Sequence, residues 1–458
     1  MTLRLSIALA LVALASACGD PSCPSAAELQ TELDAAAAGE VVLLGACRVE
    51  GSLVVPVGVT LAGEGADSIV MGATGRVLTL ETAAGSVTTA RDLRVESSAC
   101  GAVVATGSGD AVLEGTEIVV SQGVGVAVEG ASLTIRDVDI VGPVDAADLA
   151  VSLPALPPFS CGGGAATHGL VAVDATVVAE RTDVRGFEAF GALLVRSTTT
   201  WSESELRANL GVGLEVLDGS ADLTDVTLAE ASFGALAIEA YDGIFVGDAT
   251  VTSTRLRATD GSTYGLFHAD GVVATHTDAT VTGNGFAGVW AQGGGALTLD
   301  GATVMDNAFA GVATFDNPAL EVLGSTIGGT RESAGVFGLR TVTAADGLHL
   351  IRSAGSVEGT DLRRNARVGL LLDLDGGTTV DYSFDSVVVE GVGAELGAIA
   401  QNGTVAPGWD AAIDRLGDTA VNDPALADVL DIAGAVGPPC LPPVDGVATG
   451  GIGTLVGP

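Results

Sequence analysis

Asp260, His268, Asp270, His276 and Asp278 crowd into one short stretch of the chain. These residue types do acid–base and metal chemistry. Two carboxylates at a suitable separation act as general acid and general base on a glycosidic bond, and an imidazole beside them can carry a proton. No His or Cys pair has the spacing of a metal site. Asp260, Asp270, Asp278 and His276 are therefore the candidates for catalysis, and no residue is assigned to a metal. A structural role competes for the same stretch, because the repeat described below turns His268 inward. Arg363, Arg364 and Arg367 surround Asn365. They carry the charge of a lyase base and serve equally as counter-charge on an acidic chain.

The cysteines speak to compartment. Residues 1–17 run from Arg4 through an apolar stretch to small residues, the layout of a signal peptide and too short for a membrane span. Ala15-Ser16-Ala17-Cys18 resembles a bacterial lipobox, with Ala15 where that motif usually has Leu. The resemblance implies cleavage before Cys18 and a diacylglycerol on its thiol; ordinary cleavage nearby is the alternative. Gly19 follows, rather than the Asp of an inner-membrane retention signal. The expected address is thus secreted and lipid-anchored, at the outer membrane or cell surface of a Gram-negative-type bacterium. In an oxidising compartment disulfides form. Cys23 and Cys47 flank a helix and are expected to pair, Cys100 and Cys161 are a second pairing, and Cys440 is left over.

Composition bounds what can position these residues. Hydrophobic residues make up 48% and charged residues 17%, while aromatics are only 4%. A core must be built from Val, Leu, Ile and Ala, which suits thin sheet layers. The net charge is −38, and all 19 basic residues are arginine. Such a chain repels nucleic-acid phosphates and anionic lipid, so nucleic acid is excluded as a partner and membrane contact is expected through the lipid alone. No cofactor is expected; Ca2+ is the cation that an acidic surface could take.

A repeat dominates the middle of the chain. Asn209, Asn284, Asn307 and Asn365 each open a unit such as NGFAGVWA, in which a Gly precedes alternating apolar residues. Gly169, Gly191, Gly213, Gly234, Gly265, Gly288, Gly311 and Gly335 mark the units, mostly 21 to 24 residues apart. A second short strand lies about ten residues upstream of each. This period, without helices, predicts a right-handed parallel β-helix, an all-β solenoid of roughly fifteen coils and about 70 Å. Residues 24–38 predict a helix with a Ser25–Glu28 capping box. The helix and the following V-V-L-L and V-x-L-x-G-x-G segments resemble the entry coils of pectate-lyase-like β-helix proteins, in which a helix plugs the solenoid. The expected organisation is a signal peptide at 1–17, a tether and N-terminal cap at 18–48, the β-helix at 49–403 and an irregular C-terminal cap at 404–458. The asparagines are expected to stack as a ladder at a left-handed turn.

The frame also assigns faces. After each Gly the first and third residues should point inward, the second and fourth outward. Outward positions then carry an aromatic line, Phe267, Trp290, Phe315 and Phe337. Either the line stacks on sugars or a protein partner, or the excursions at 142–166 and 239–260 or the C-terminal tail fold over it. The family resemblance brings an enzyme expectation, since pectate lyases use Asp clusters holding Ca2+ with an Arg or Lys base, and polygalacturonase-like hydrolases use several Asp. No stacked set of Asp crosses successive coils on the outward face. The sequence thus favours a non-enzymatic binding or structural module for carbohydrate or a surface protein, with a polysaccharide lyase or glycoside hydrolase as the alternative.

Overall fold

A computed structural model describes residues 23–98, 100–144, 167–239, 248–269, 271–316, 319–337, 340–373, 382–390, 396–401 and 413–416. Cys18, Asp270, Cys161, Cys440 and nearly all of the tail from 404 lie outside the described residues.

Each coil supplies one short strand to each of three parallel sheets, so the expected all-β solenoid forms. The first sheet runs through 14 strands, from Val41–Leu43 to Tyr382–Asp385. The second runs through 15, from Arg48–Glu50 to Ile413–Leu416. The third runs from Leu53–Val55 to Leu396–Gln401. At ~4.8 Å per strand the described coils stack to about 65 Å. Strands of the first two sheets mostly alternate outward polar and inward apolar residues, as in Ala296–Asp300, where Leu297 and Leu299 are buried and Thr298 and Asp300 face out. The inward set is Val, Leu, Ile and Ala, stacked along the solenoid as one core. No helix among the described residues is long and apolar enough to cross a membrane.

The cap forms as its sequence predicts. Helix Ala26–Ala35 starts at Ser25, whose Oγ accepts from the Glu28 N–H at 3.3 Å while the Glu28 carboxylate accepts from Ser25 N at 2.8 Å. Leu29 and Leu33 are buried against the first coil. Gln30 completes the closure: its Oε1 accepts from Val54 N at 2.8 Å and its Nε2 donates to Val54 O at 3.0 Å. A side-chain amide thus replaces the missing strand beside an open edge. Cys23 and Cys47 are joined, with Cα atoms 5.4 Å apart. Cys100 is also disulfide-bonded.

The corners explain the polar repeat. At the corner into the third sheet, Ala208, Gly283, Asp306 and Arg364 take positive φ, each just before one of the four asparagines. The left-handed residue is therefore not the Asn but its predecessor. The Asn turns inward, is buried, and staples its coil to the preceding one. Asn307 Oδ1 accepts from Asn284 N at 3.1 Å and from Asn284 Nδ2 at 2.9 Å, and Asn307 Nδ2 donates to Val281 O at 2.9 Å. Asn209 and Asn365 accept from Phe187 N and Thr330 N.

The glycine frame needs two corrections. Gly213 pairs with Ala235, so Gly234 sits one residue early. After Gly311 the ladder resumes at Gly347, whereas Gly335 lies on Ser333–Phe337, which pairs antiparallel with Arg340–Ile351. The inserted hairpin copied the sequence pattern without occupying the rung. The true ladder needs glycine for space: a Cβ on Gly288 would meet Gly311 O at 2.6 Å and Asn307 Nδ2 at 2.6 Å.

Candidate functional site

The acid–base candidates do not come together. Asp260 (φ 58) and Asp278 (φ 53) are exposed residues at two different corners of the solenoid, Asp260 entering the third sheet and Asp278 between the first and second. His268 and His276 lie inside the core, from the third and first sheets. Ser253 Oγ lies 2.7 Å from His276 Nδ1, and the two Nε2 atoms are 3.1 Å apart. Burial holds both imidazoles neutral: His276 is pushed down to about 4, and burial, with His276 beside it, pushes His268 well below its usual range. The reason is geometric. Each strand sends alternate residues in and out, and many corners recruit Asp for its tolerance of the left-handed region. Neighbours in sequence therefore reach different surfaces. Of the arginine group, Arg363 pairs with Asp361 and Arg367 with Asp346, while Arg364 takes a corner φ of 54°. Among the described residues no three His, Cys, Asp or Glu side chains group as metal ligands.

The expected aromatic line is broken, and the part of it on the third sheet is buried. Phe267 and Trp290 are register partners on the outward side of the third sheet, and Ala313 continues their row. Phe315 stands in the neighbouring row, opposite Gln292, and its ring stacks on Trp290 with centroids 4.7 Å apart. Trp290 is 0% exposed, Phe267 1% and Phe315 6%. Phe337 belongs to the inserted hairpin strand, off this row. The outward side of the third sheet thus forms a second apolar core, from Val104 to Leu371. An exposed stacking stripe is excluded by that burial. Of the segments expected to cover it, 145–166 and 240–247 lie outside the described residues.

Polar groups interrupt this second core. Glu215 occupies the row between Leu193 and Ala237, is 0% exposed, and neither carboxyl oxygen has a hydrogen-bond partner among the described residues. Burial, reinforced by Glu239, raises its pKa well above the ordinary carboxylate value. His168 stacks on Phe190 at 5.5 Å, and burial pushes it down to about 3. Asp346, also 0% exposed, accepts from Arg367 Nε at 2.7 Å and lies 3.1 Å from His349 Nδ1. Burial raises the Asp346 pKa, but His349 and Arg367 outweigh it and hold the carboxyl below its ordinary value. The sequence frame did place Glu215 outward. It missed Asp346 and His349 because the false rung at Gly335 hid the true one at Gly347.

The exposed face lies elsewhere. From Thr176–Glu180 to Ala296–Asp300 the first sheet turns outward a regular array in which threonine predominates. Thr252 and Thr254 stand in register with Thr275 and Thr277 on the adjoining strand, and Thr198 and Thr200 lie one strand beyond Thr250 and Thr252, across Ser220 and Asp222. Hydroxyls link to neighbours along the rod: Ser220 donates to Thr198 at 3.2 Å and Thr252 donates to Asp222 at 3.2 Å. No cation stands among these outward residues. The signal was present in the sequence as T-x-T alternation, in TTT at 198–200, TVTST at 250–254 and THT at 275–277.

No protein-family model matches the chain, and no curated protein matches it. Among solved structures it is similar to the A-module of a mannuronan C-5 epimerase from Azotobacter vinelandii, at 14% identity and TM-score 0.34, over 87% of this chain and 96% of that one. It is also similar to tailspike protein 3 of bacteriophage CBA120, at 12% identity and TM-score 0.42, over 88% of this chain and 58% of that one. The catalytic domain of a GH87 α-1,3-glucanase matches at 10% identity and TM-score 0.31, over 84% and 64%. At these values the likeness is one of fold.

Proposed function

We propose that this protein is a secreted, lipid-anchored and non-enzymatic rod that holds an extended, uncharged carbohydrate along the outer face of its first sheet. The observation that carries the reading is the cation-free threonine array between Thr176 and Asp300. Hydroxyls two residues apart on strands ~4.8 Å apart offer a flat grid of donors and acceptors, matched to a polymer that is itself a row of hydroxyls. A polyanionic glycan is disfavoured, because the chain carries −38 and the grid offers no cation. The address at the outer membrane or cell surface rests on the signal layout and Cys18.

A second reading keeps the glycan-active enzyme. Its support is Glu215, a buried carboxyl held neutral, with Glu239 beside it on the adjoining strand. Two carboxyl groups in unlike environments suit acid and base roles. One experiment separates the two readings. Purified protein is incubated with a panel of insoluble neutral and acidic glycans, and both retention and release of reducing or unsaturated ends are measured. Retention on neutral glycans, lost in Thr252→Tyr with Thr275→Tyr and without product release, is the expected result. Turnover abolished by Glu215→Gln would replace the binding reading with the enzymatic one.

A further inference from the structure

Four of the six large apolar side chains that stand exposed among the described residues lie at one end of the first sheet, while Val178 and Val273 stand singly within the threonine array. Leu43 is 70% exposed, Val87 50%, Val41 49% and Val57 37%. Val41 and Leu43 face outward on the first strand of the first sheet, in register with Thr60 and Ala62 of the next. Val87 opens the third strand, and Val57 sits in the turn that leads into Thr60–Ala62. The four residues thus gather at the N-terminal end of the face whose middle strands carry the threonine array. Arg91 follows Leu43 and Ala62 in the same row and borders the group with a cation. Glu40 lies on its other side, with its carboxylate taken up by Ala37 N.

The chain leads to this patch from a point close by. Cys23 is bonded to Cys47, in the turn that follows Val41–Leu43. Only five positions separate Cys23 from Cys18, so a fully extended tether spans about 17 Å. A diacylglycerol on Cys18 is therefore confined to the neighbourhood of the first coil. The disulfide transmits that confinement to the patch.

We propose that Val41, Leu43, Val57 and Val87 form a lipid-docking patch, which seats the N-terminal end of the rod against the headgroup boundary of the membrane that holds the Cys18 anchor. This inference rests on the anchor in the proposed function. The occupant is a zwitterionic lipid surface, because the acidic chain disfavours an anionic one. Apolar side chains at such a boundary sink by roughly 5–10 Å, which suits a four-residue patch at one end. The rest of the face, with its threonines, stays in water and free for ligand. An acyl anchor alone would let the rod swing; the patch gives it one orientation.

The test uses full-length protein purified from bacterial membranes and reconstituted into phosphatidylcholine vesicles with or without brominated acyl chains. Leu43→Trp reports from the patch. Thr252→Trp reports from the same sheet, eight strands further along, about 38 Å away. The expected result is that brominated chains roughly halve the added emission of Leu43→Trp and leave that of Thr252→Trp unchanged. Equal quenching at both positions overturns the end-on seat. Blue-shifted Leu43→Trp emission that ignores brominated chains means that protein, such as a second copy, covers the patch, and also overturns it. Labelled palmitate distinguishes the premise from the inference. If wild type takes up label and Cys18→Ser does not, but Leu43→Trp is unquenched, the patch fails and the anchor stands. If neither takes up label, the anchor itself fails.

Discussion

Buried ionisable side chains give this protein opposite pH dependences at single residues. His168 and His276 have folded-state pKa values pushed down to about 3 and about 4 by burial. The folded state therefore binds fewer protons than the unfolded chain below pH ~6.5. Their stabilisation is complete above that value and is lost as pH falls from it towards the folded pKa, at about 1.4 kcal/mol per pH unit for each histidine. Glu215 behaves the other way. Its folded pKa is raised, so its contribution is full below the ordinary carboxylate value and is lost as pH rises. The expected outcome is a stability maximum near neutrality in urea titrations, with a steep acid limb. Glu215→Gln should raise stability at pH 8 and change little at pH 4. A variant less stable than wild type at pH 8 would mean that a bound partner holds the ionised carboxylate. Much of this was legible, since the repeat placed His268 inward and Glu215 outward. What was not legible is that outward on the third sheet also means buried.

At the scale of elements, the third sheet has an apolar core on each side. Inward rows belong to the solenoid, and outward rows join Tyr264, Phe267, Phe286, Trp290, Phe309 and Phe315 in one aromatic cluster. Trp290 packs on Phe315 at 4.7 Å and on Phe286 at 5.6 Å, and its Nε1 donates to Gln292 at 3.0 Å. Trp290→Ala should therefore cost about 3–5 kcal/mol, as for a large aromatic removed from a core, measured by chemical denaturation. A surface stripe would lose under ~0.5 kcal/mol, so the measurement separates a structural cluster from an open binding face. Sequence periodicity finds the alternation of faces but not what lies against them. The two false marks, Gly234 and Gly335, show the same limit. A Gly followed by alternating apolar residues also suits an inserted hairpin, and only strand pairing separates the cases.

For the whole molecule, charge and architecture pull apart. The chain has 57 acidic and 19 basic residues. Several arginines are taken up by neighbouring coils at the corners, as in Arg255 with Asp225 at 2.6 Å and Arg181 with Asp137 at 2.6 Å. Exposed pairs of this kind are worth ~0–1 kcal/mol each, and the excess acid repels itself along the rod. Raising ionic strength from about 0.01 to about 0.15 M shortens the screening length from ~30 to ~8 Å. The melting temperature is expected to rise over that range in calorimetry. A fall would mean that the corner ion pairs outweigh the self-repulsion.

The sequence by itself determined the solenoid, its all-β parallel character, the cap helix with its capping box, the Cys23–Cys47 bond and the recurrence of asparagine at one corner. These follow from local periods, caps and turn chemistry, and each is written within about one coil of sequence. Tertiary structure alone decided which faces meet water. It buried Phe267, Trp290 and Phe315, parted Asp260 from Asp278 and brought His276 against His268 in the core. It also joined Asp346 to Arg367 and left the threonine grid and the Val41–Leu43 patch exposed. Exposure depends on what packs from distant coils and excursions, and a repeat of 21 to 24 residues carries no record of that.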